Sequence, residues 1–99
     1  MKLIALYRHP EDPEAFDKAY FETHVPLIEK VPGLKKVAVN KTGRVLAGKR
    51  APYIIATLTF ADKDALKAAM NSPEMAAAGK NLDSFAEGLY TLCFAEKVE

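Results

Sequence analysis

The sequence predicts an α+β domain, a four-stranded antiparallel sheet in the order β-α-β-β-α-β with its helices on one face. Three observations carry this. Four short stretches are dense in apolar, β-branched or aromatic residues and are bounded by Pro, Gly or charged segments. Two long intervals between them open on helix-start signals. The chain has 99 residues, enough for one domain spanning 1–99, and shows no linker, repeat or low-complexity segment.

The elements follow in order. Lys2–Tyr7 reads as a buried strand, broken by Arg8-His9-Pro10-Glu11. Asp12 can cap a helix and Pro13 suits its first position, where a missing N–H costs nothing. Phe16, Tyr20, Leu27 and Val31 follow at helical spacing, so a helix is expected from about Pro13 to about Lys30, ended by Pro32-Gly33. Leu34–Lys41 is a second strand, Thr42–Ala51 a polar hairpin loop, and Pro52–Phe60 the strongest strand in the chain. Asp62 caps a second helix with Leu66, Ala69 and Met70 on one side; Ser72-Pro73-Glu74 restarts a short one. Leu82 and Phe85 are expected in its tail or the following loop. Leu89–Ala95 is the last strand, and Lys97-Val98-Glu99 a frayed end. This is the ferredoxin-like arrangement.

Both faces of such a sheet are apolar. Ile54, Ala56, Leu58 and Phe60 oppose Tyr53, Ile55, Thr57 and Thr59; Leu3, Ala5 and Tyr7 oppose Ile4 and Leu6. An antiparallel sheet with one wet face alternates more cleanly. Helices cover one face only, and the other would expose more apolar surface than a monomer normally does. A homodimer joined through the helix-free face is therefore expected.

Composition excludes several classes. The apolar fraction is 49% and the charged fraction 27%, and 14 basic against 13 acidic residues leave a formal charge of +1. No basic stripe marks a nucleic-acid partner. Cys93 stands alone, so no intrachain disulfide or zinc cluster forms, and it reads as buried packing. The N-terminal apolar run lacks the features of a signal peptide, and no run is long enough for a membrane span, so a cytoplasmic protein without membrane contact is expected. There is no phosphate loop, nucleophile elbow or metal-ligand spacing, and no cofactor or metal is expected.

His24 carries the chemistry the sequence offers. It falls four residues after Tyr20 and eight after Phe16, on the apolar arc of the first helix. A titratable imidazole there needs a partner. Pro26 cannot donate to the carbonyl of Glu22 and should bend the helix beside it. His24 then either faces a pocket as general acid or base, with Tyr7, Tyr20, Tyr53 and Leu27 as pocket residues, or sits in the core bonded to a backbone carbonyl or a tyrosine. His9 reads as surface, and Asp17, two turns from His24, is assigned no direct partnership with it.

Tyr7, Pro10-Glu11-Asp12-Pro13-Glu14-Ala15-Phe16, Tyr20-Phe21, His24-Val25-Pro26-Leu27 and Pro32-Gly33-Leu34 together resemble the EthD family. Phe21 stands where the family pattern has a second tyrosine. The resemblance implies a dimeric α/β barrel and a name taken from ether degradation, where such a protein accompanies a monooxygenase system. Related barrels include cofactor-free monooxygenases, isomerases and cyclases. The function expected is that of a small cofactor-independent enzyme or accessory protein of oxidative degradation. It would act on a small apolar or oxygenated organic compound, with His24 as acid or base. The alternatives are a non-catalytic binding protein and a structural dimerisation module.

Overall fold

Strand pairing organises the molecule. In the computed structural model, which describes residues 1–98, β1 (Lys2–Tyr7) lies between β3 (Ile54–Phe60) and β4 (Tyr90–Ala95), and β2 (Leu34–Lys41) joins the far edge of β3. The order β2-β3-β1-β4 is antiparallel throughout. Cross-strand partners share a face, so register sorts the side chains. Leu3 pairs with Leu58 and Phe94, and Ala5 with Ala56 and Leu92, on the face that meets the helices. Ile4 pairs with Thr57 and Cys93, and Leu6 with Ile55 and Thr91, on the helix-free face.

The helix layer is α1 (Pro13–Ala19), a π-helical turn (Tyr20–His24), α2 (Val25–Ile28), α3 (Lys63–Met70) and α4 (Pro73–Ala86). Each cap signal is realised. Asp12, Asp62 and Ser72 accept from the N–H groups of Ala15, Ala65 and Met75, satisfying donors a helix start leaves orphaned. Ser72 also donates to the carbonyl of Ala69 at 2.6 Å, so one hydroxyl ends α3 and starts α4. Between the layers lie Tyr7, Phe16, Tyr20, Ile54, Phe60, Leu66 and Leu82, all buried.

Several expectations are corrected. The first helix is not one rod to Lys30; it is interrupted by the π turn and ends at Ile28. The helix after Ser72 is not short. Its 14 residues take in Leu82 and Phe85, because burial of Ala78, Leu82 and Ala86 outweighs the roughly 1 kcal/mol that Gly79 costs a helix. Tyr53 does not share the face of Ile55. Its N–H donates to the Tyr7 carbonyl at 2.6 Å while Ile54 also pairs with Tyr7. Two residues thus oppose one, as in a β-bulge, and Tyr53 turns toward the helices, 5.9 Å from Phe16 between ring centroids. Cys93 is exposed rather than buried, because its register position is on the helix-free face. Of the expected frayed end, Val98 is exposed and Glu99 lies outside the described residues.

The helices do not reach the outer edge of the sheet. Leu92 and Phe94 point to the helix side yet are 46% and 59% exposed. On the opposite face Ile4, Leu6, Ile55 and Thr57 are only half-buried. No helix among the described residues is long and apolar enough to cross a membrane.

The turn into β2 uses Gly33 at φ +80°, a region that opposes a side chain. Gly33→Ala should destabilise by about 1–2 kcal/mol without loss of fold, as read from urea unfolding curves.

Candidate functional site between the helices and the sheet

The site begins with a proline. In a continuous α-helix the ring of Pro26 would meet the Glu22 carbonyl and leave it without a donor. Here Val25 N–H reaches back five residues to Tyr20. The wider turn places Pro26 in the first turn of α2, where its missing N–H is harmless. Glu22 is exposed, so its carbonyl has water at hand. The π turn adds one residue to the helical count, and the side chains beyond it rotate accordingly. Ile28 and Val25, not Leu27, therefore face the sheet beside His24.

His24 is 3% exposed and sits in an aromatic surround. Tyr20 lies 5.5 Å away and Phe85 6.1 Å away between ring centroids. Tyr20 in turn meets Tyr7 edge-on at 5.1 Å. The imidazole Nδ1 is 3.2 Å from Oδ1 of Asn81 on α4. With that oxygen accepting, Nδ1 carries the proton and Nε2 keeps its lone pair. Burial lowers the His24 pKa, opposed in part by the Asn81 bond, so the ring is neutral near pH 7. Burial raises the hydroxyl of Tyr7 far above its ordinary range, with neighbouring Tyr20 adding to the effect. Burial pushes Tyr20 up to about 12, against a hydrogen bond to Tyr7 that lowers it. Both phenols stay protonated.

His24, Tyr20 and Tyr7 line a cavity of about 60 Å³ whose remaining walls are almost wholly apolar, among them Leu58, Met75, Ala78 and Gly79. It has room for a water or two. A larger hollow of about 830 Å³ lies at the end of the sheet under the β2–β3 loop; Tyr7 lines both spaces, His24 only the small one. The small cavity has the stronger claim to acid–base chemistry because it holds a buried, oriented imidazole, which the large one lacks.

The structure brings Tyr7, Tyr20 and His24 together and leaves two expected pocket residues outside. Leu27 is half-buried but turned from the cavity. The Tyr53 hydroxyl donates to Asp17 at 2.9 Å, and Lys41 pairs with the same carboxylate. Burial would raise the Asp17 pKa, but the bonds from Lys41 and Tyr53 overcome it and hold the carboxyl below its usual range. That trio ties α1 to β2 and the start of β3. Asn81 and Phe85 were not anticipated. Their signal was the spacing Ala78, Asn81, Leu82, Phe85, one helical stripe that shows once α4 is extended past Gly79. His9 is exposed, its ring 5.4 Å from Tyr53. Among the described residues no three His, Cys, Asp or Glu side chains cluster as metal ligands.

Fold and interior together define a ferredoxin-like α+β protein with a neutral, buried histidine on a small cavity between its layers. Residues 8–88 match the EthD domain, and the chain belongs to the EthD family. It is 33% identical over 96 residues to an uncharacterised 11.0 kDa protein of the thcB–thcC intergenic region of Rhodococcus erythropolis, covering 97% of this chain and 93% of that one. It is 40% identical to a solved ethyl tert-butyl ether d (EthD) family protein of Bacillus halodurans, with a TM-score of 0.92 over 98% of this chain and 97% of that chain. A dimeric ferredoxin-like protein of unknown function from Jannaschia shares the fold at 18% identity, with a TM-score of 0.73 over 97% of each chain.

The lowered His24 pKa sets a pH dependence of stability. The unfolded chain binds a proton near 6.5 more readily than the folded one. The stabilisation is fully present above about pH 6.5 and falls as pH drops toward the lower folded value. Thermal unfolding between about pH 7.5 and 5 should show this decline, and His24→Gln should flatten it. Asn81→Ala, which orphans Nδ1, should cost about 1–3 kcal/mol.

Proposed function

We propose that the protein is a homodimer that binds a small apolar or oxygenated organic compound between its helices and sheet, and that it moves a proton on that compound without a cofactor. His24 is the acid–base group. The observation that supports this is the 3.2 Å approach of His24 Nδ1 to Asn81 Oδ1 beside an apolar cavity, a contact that suits a neutral imidazole with its lone pair on Nε2. The Tyr7 and Tyr20 hydroxyls, protonated at neutral pH, are suited to donate to a carbonyl, hydroxyl or ether oxygen. The ethyl tert-butyl ether in the name of the Bacillus relative's family has the form such a site would bind, a compact apolar body with one oxygen; the proton transfer itself is proposed for carbonyl compounds, whose neighbouring C–H an imidazole can deprotonate.

The cavity must widen to hold even a six-carbon ring. Its size supports a second reading, in which the His24–Asn81 bond is a core hydrogen bond and nothing more. One variant separates the two. Cyclohexanone in deuterated water reports proton abstraction next to a carbonyl. On the first reading the protein accelerates deuterium exchange, and His24→Gln lowers that acceleration by about 10²–10⁴-fold while fold and dimer persist. On the second, wild type gives no acceleration and His24→Gln loses about 1–3 kcal/mol of stability.

The dimer is proposed from the helix-free face, where Ile4, Leu6, Ile55 and Cys93 would otherwise meet water. The Jannaschia fold relative is itself described as dimeric. Sedimentation should give twice the chain mass, with about 1,200–2,000 Å² buried in total. Thr57→Lys, a charge at the centre of that face, should shift the equilibrium to monomer; an unchanged dimer would put the interface elsewhere.

A further inference from the structure

The edge strand β4 is apolar on the side that faces the helices, yet the helices leave that side open. Leu92 and Phe94 stand there, 46% and 59% exposed. They lie roughly 7 Å apart along the extended strand, on one face. Leu92 also lines the His24 cavity, and every other residue that lines it is buried or half-buried. The cavity therefore meets solvent most directly at β4, beside Leu92. The proposed dimer uses the opposite face of the sheet, so it does not lie over this side.

Helix α4 is cut away at the same place. The Tyr90 hydroxyl donates to the Asp83 carboxylate, which ties this flank of α4 to the start of β4. About one turn back from Asp83 on the same flank is Gly79, half-buried and lining the same cavity as Leu92. Glycine disfavours a helix interior. Gly79 is not among the glycines at positive φ, and a Cβ there would meet nothing within 4 Å. Neither backbone conformation nor packing calls for glycine; what it does is leave the α4 side of the opening clear. Met75, about one turn earlier, also lines the cavity, and its unbranched side chain can move aside.

Shape then selects the ligand. The space beside His24 is about 60 Å³, so a ring enters only if the interior widens. An unbranched chain is narrower, and most of it can stay outside the cavity. We propose that the seam between α4 and β4 is the entrance to the His24 cavity, and that the site is selective for unbranched alkyl carbonyl compounds. The carbonyl lies among Tyr7, Tyr20 and His24, and the chain runs out between Gly79 and Leu92 onto Phe94. This rests on the reading of the His24 cavity as a binding site; it does not require His24 to move a proton.

The probes are 2-pentanone and 2-octanone, which share a head group and differ in chain length. Each is titrated into the protein in its native oligomeric state and followed by backbone amide NMR shifts. Octanone should bind at least about fivefold more tightly than pentanone, with its shifts centred on Gly79, Leu92 and Phe94. Gly79→Leu places a side chain in the opening and should bring the ratio of the two affinities to about one. Phe94→Ser, at an exposed position, should lower that ratio by at least about twofold, and it serves as the test if Gly79→Leu does not fold. A ratio near one in the wild type would overturn the proposal, as would octanone shifts confined to the helix-free face or the β2–β3 loop. Absence of octanone binding would also overturn it, and deuterium exchange into cyclohexanone then shows whether the His24 reading survives alone. Chain-length-dependent binding at these residues without any exchange would support the entrance and remove the acid–base role. Octanone binding by the monomeric Thr57→Lys variant but not by the native dimer would overturn the proposal, because the partner would then cover Leu92 and Phe94.

Discussion

A proline near the end of the first helical segment governs the interior. Pro26 can neither donate to the turn before it nor tolerate that turn's carbonyl. The chain responds by inserting a residue into the helical count between Tyr20 and Val25. This response sets which side chains arrive over the sheet. It turns His24 and Ile28 inward, takes Leu27 out of line, and lets Pro26 begin a fresh α segment. The position of the imidazole, its reach to Asn81 and the cavity beside it all follow from where that extra residue is absorbed.

Around this turn the interior is held by polar groups that each have a role. Buried hydroxyls and an imidazole are costly unless partnered; His24 Nδ1 has Asn81, and the Tyr7 and Tyr20 hydroxyls have one another. Tyr7, Tyr20 and His24 form a row of rings from β1 to α4, ending on an amide. Aromatic pairs of this kind contribute about 0.5–1.5 kcal/mol each beyond their buried area. The row therefore stabilises the helix–sheet contact and keeps its polar ends in fixed directions.

Much of the fold was legible in the sequence because its signals are local. Asp12, Asp62 and Ser72 cap as their positions suggest, and alternation in β3 sorts Ile54, Ala56, Leu58 and Phe60 onto the core face. What was missed depends on non-local or non-periodic events. A 3.6-residue repeat has no place for a π turn, so Leu27 was placed where Ile28 stands. Strict alternation has no place for a β-bulge, so Tyr53 was assigned to the wrong face. Asn81 was missed because Gly79 made α4 look short, and its partner lies 57 residues away along the chain. Cys93 was assigned to the core because its apolar neighbours fit either face of the sheet.

The cavity beside His24 is bounded on α4 by Ala78 and Gly79. An added Cβ at Gly79 would meet nothing within 4 Å. That position opens on free space, and the small, fully buried side chain of Ala78 is what bounds the hollow on α4. Caps, strand register and the proline turn could all be inherited unchanged while a change of side-chain size at Ala78 altered the space. In this architecture shared ancestry of the scaffold and shared possession of a pocket are separable traits, and a descendant could lose the second without disturbing the first.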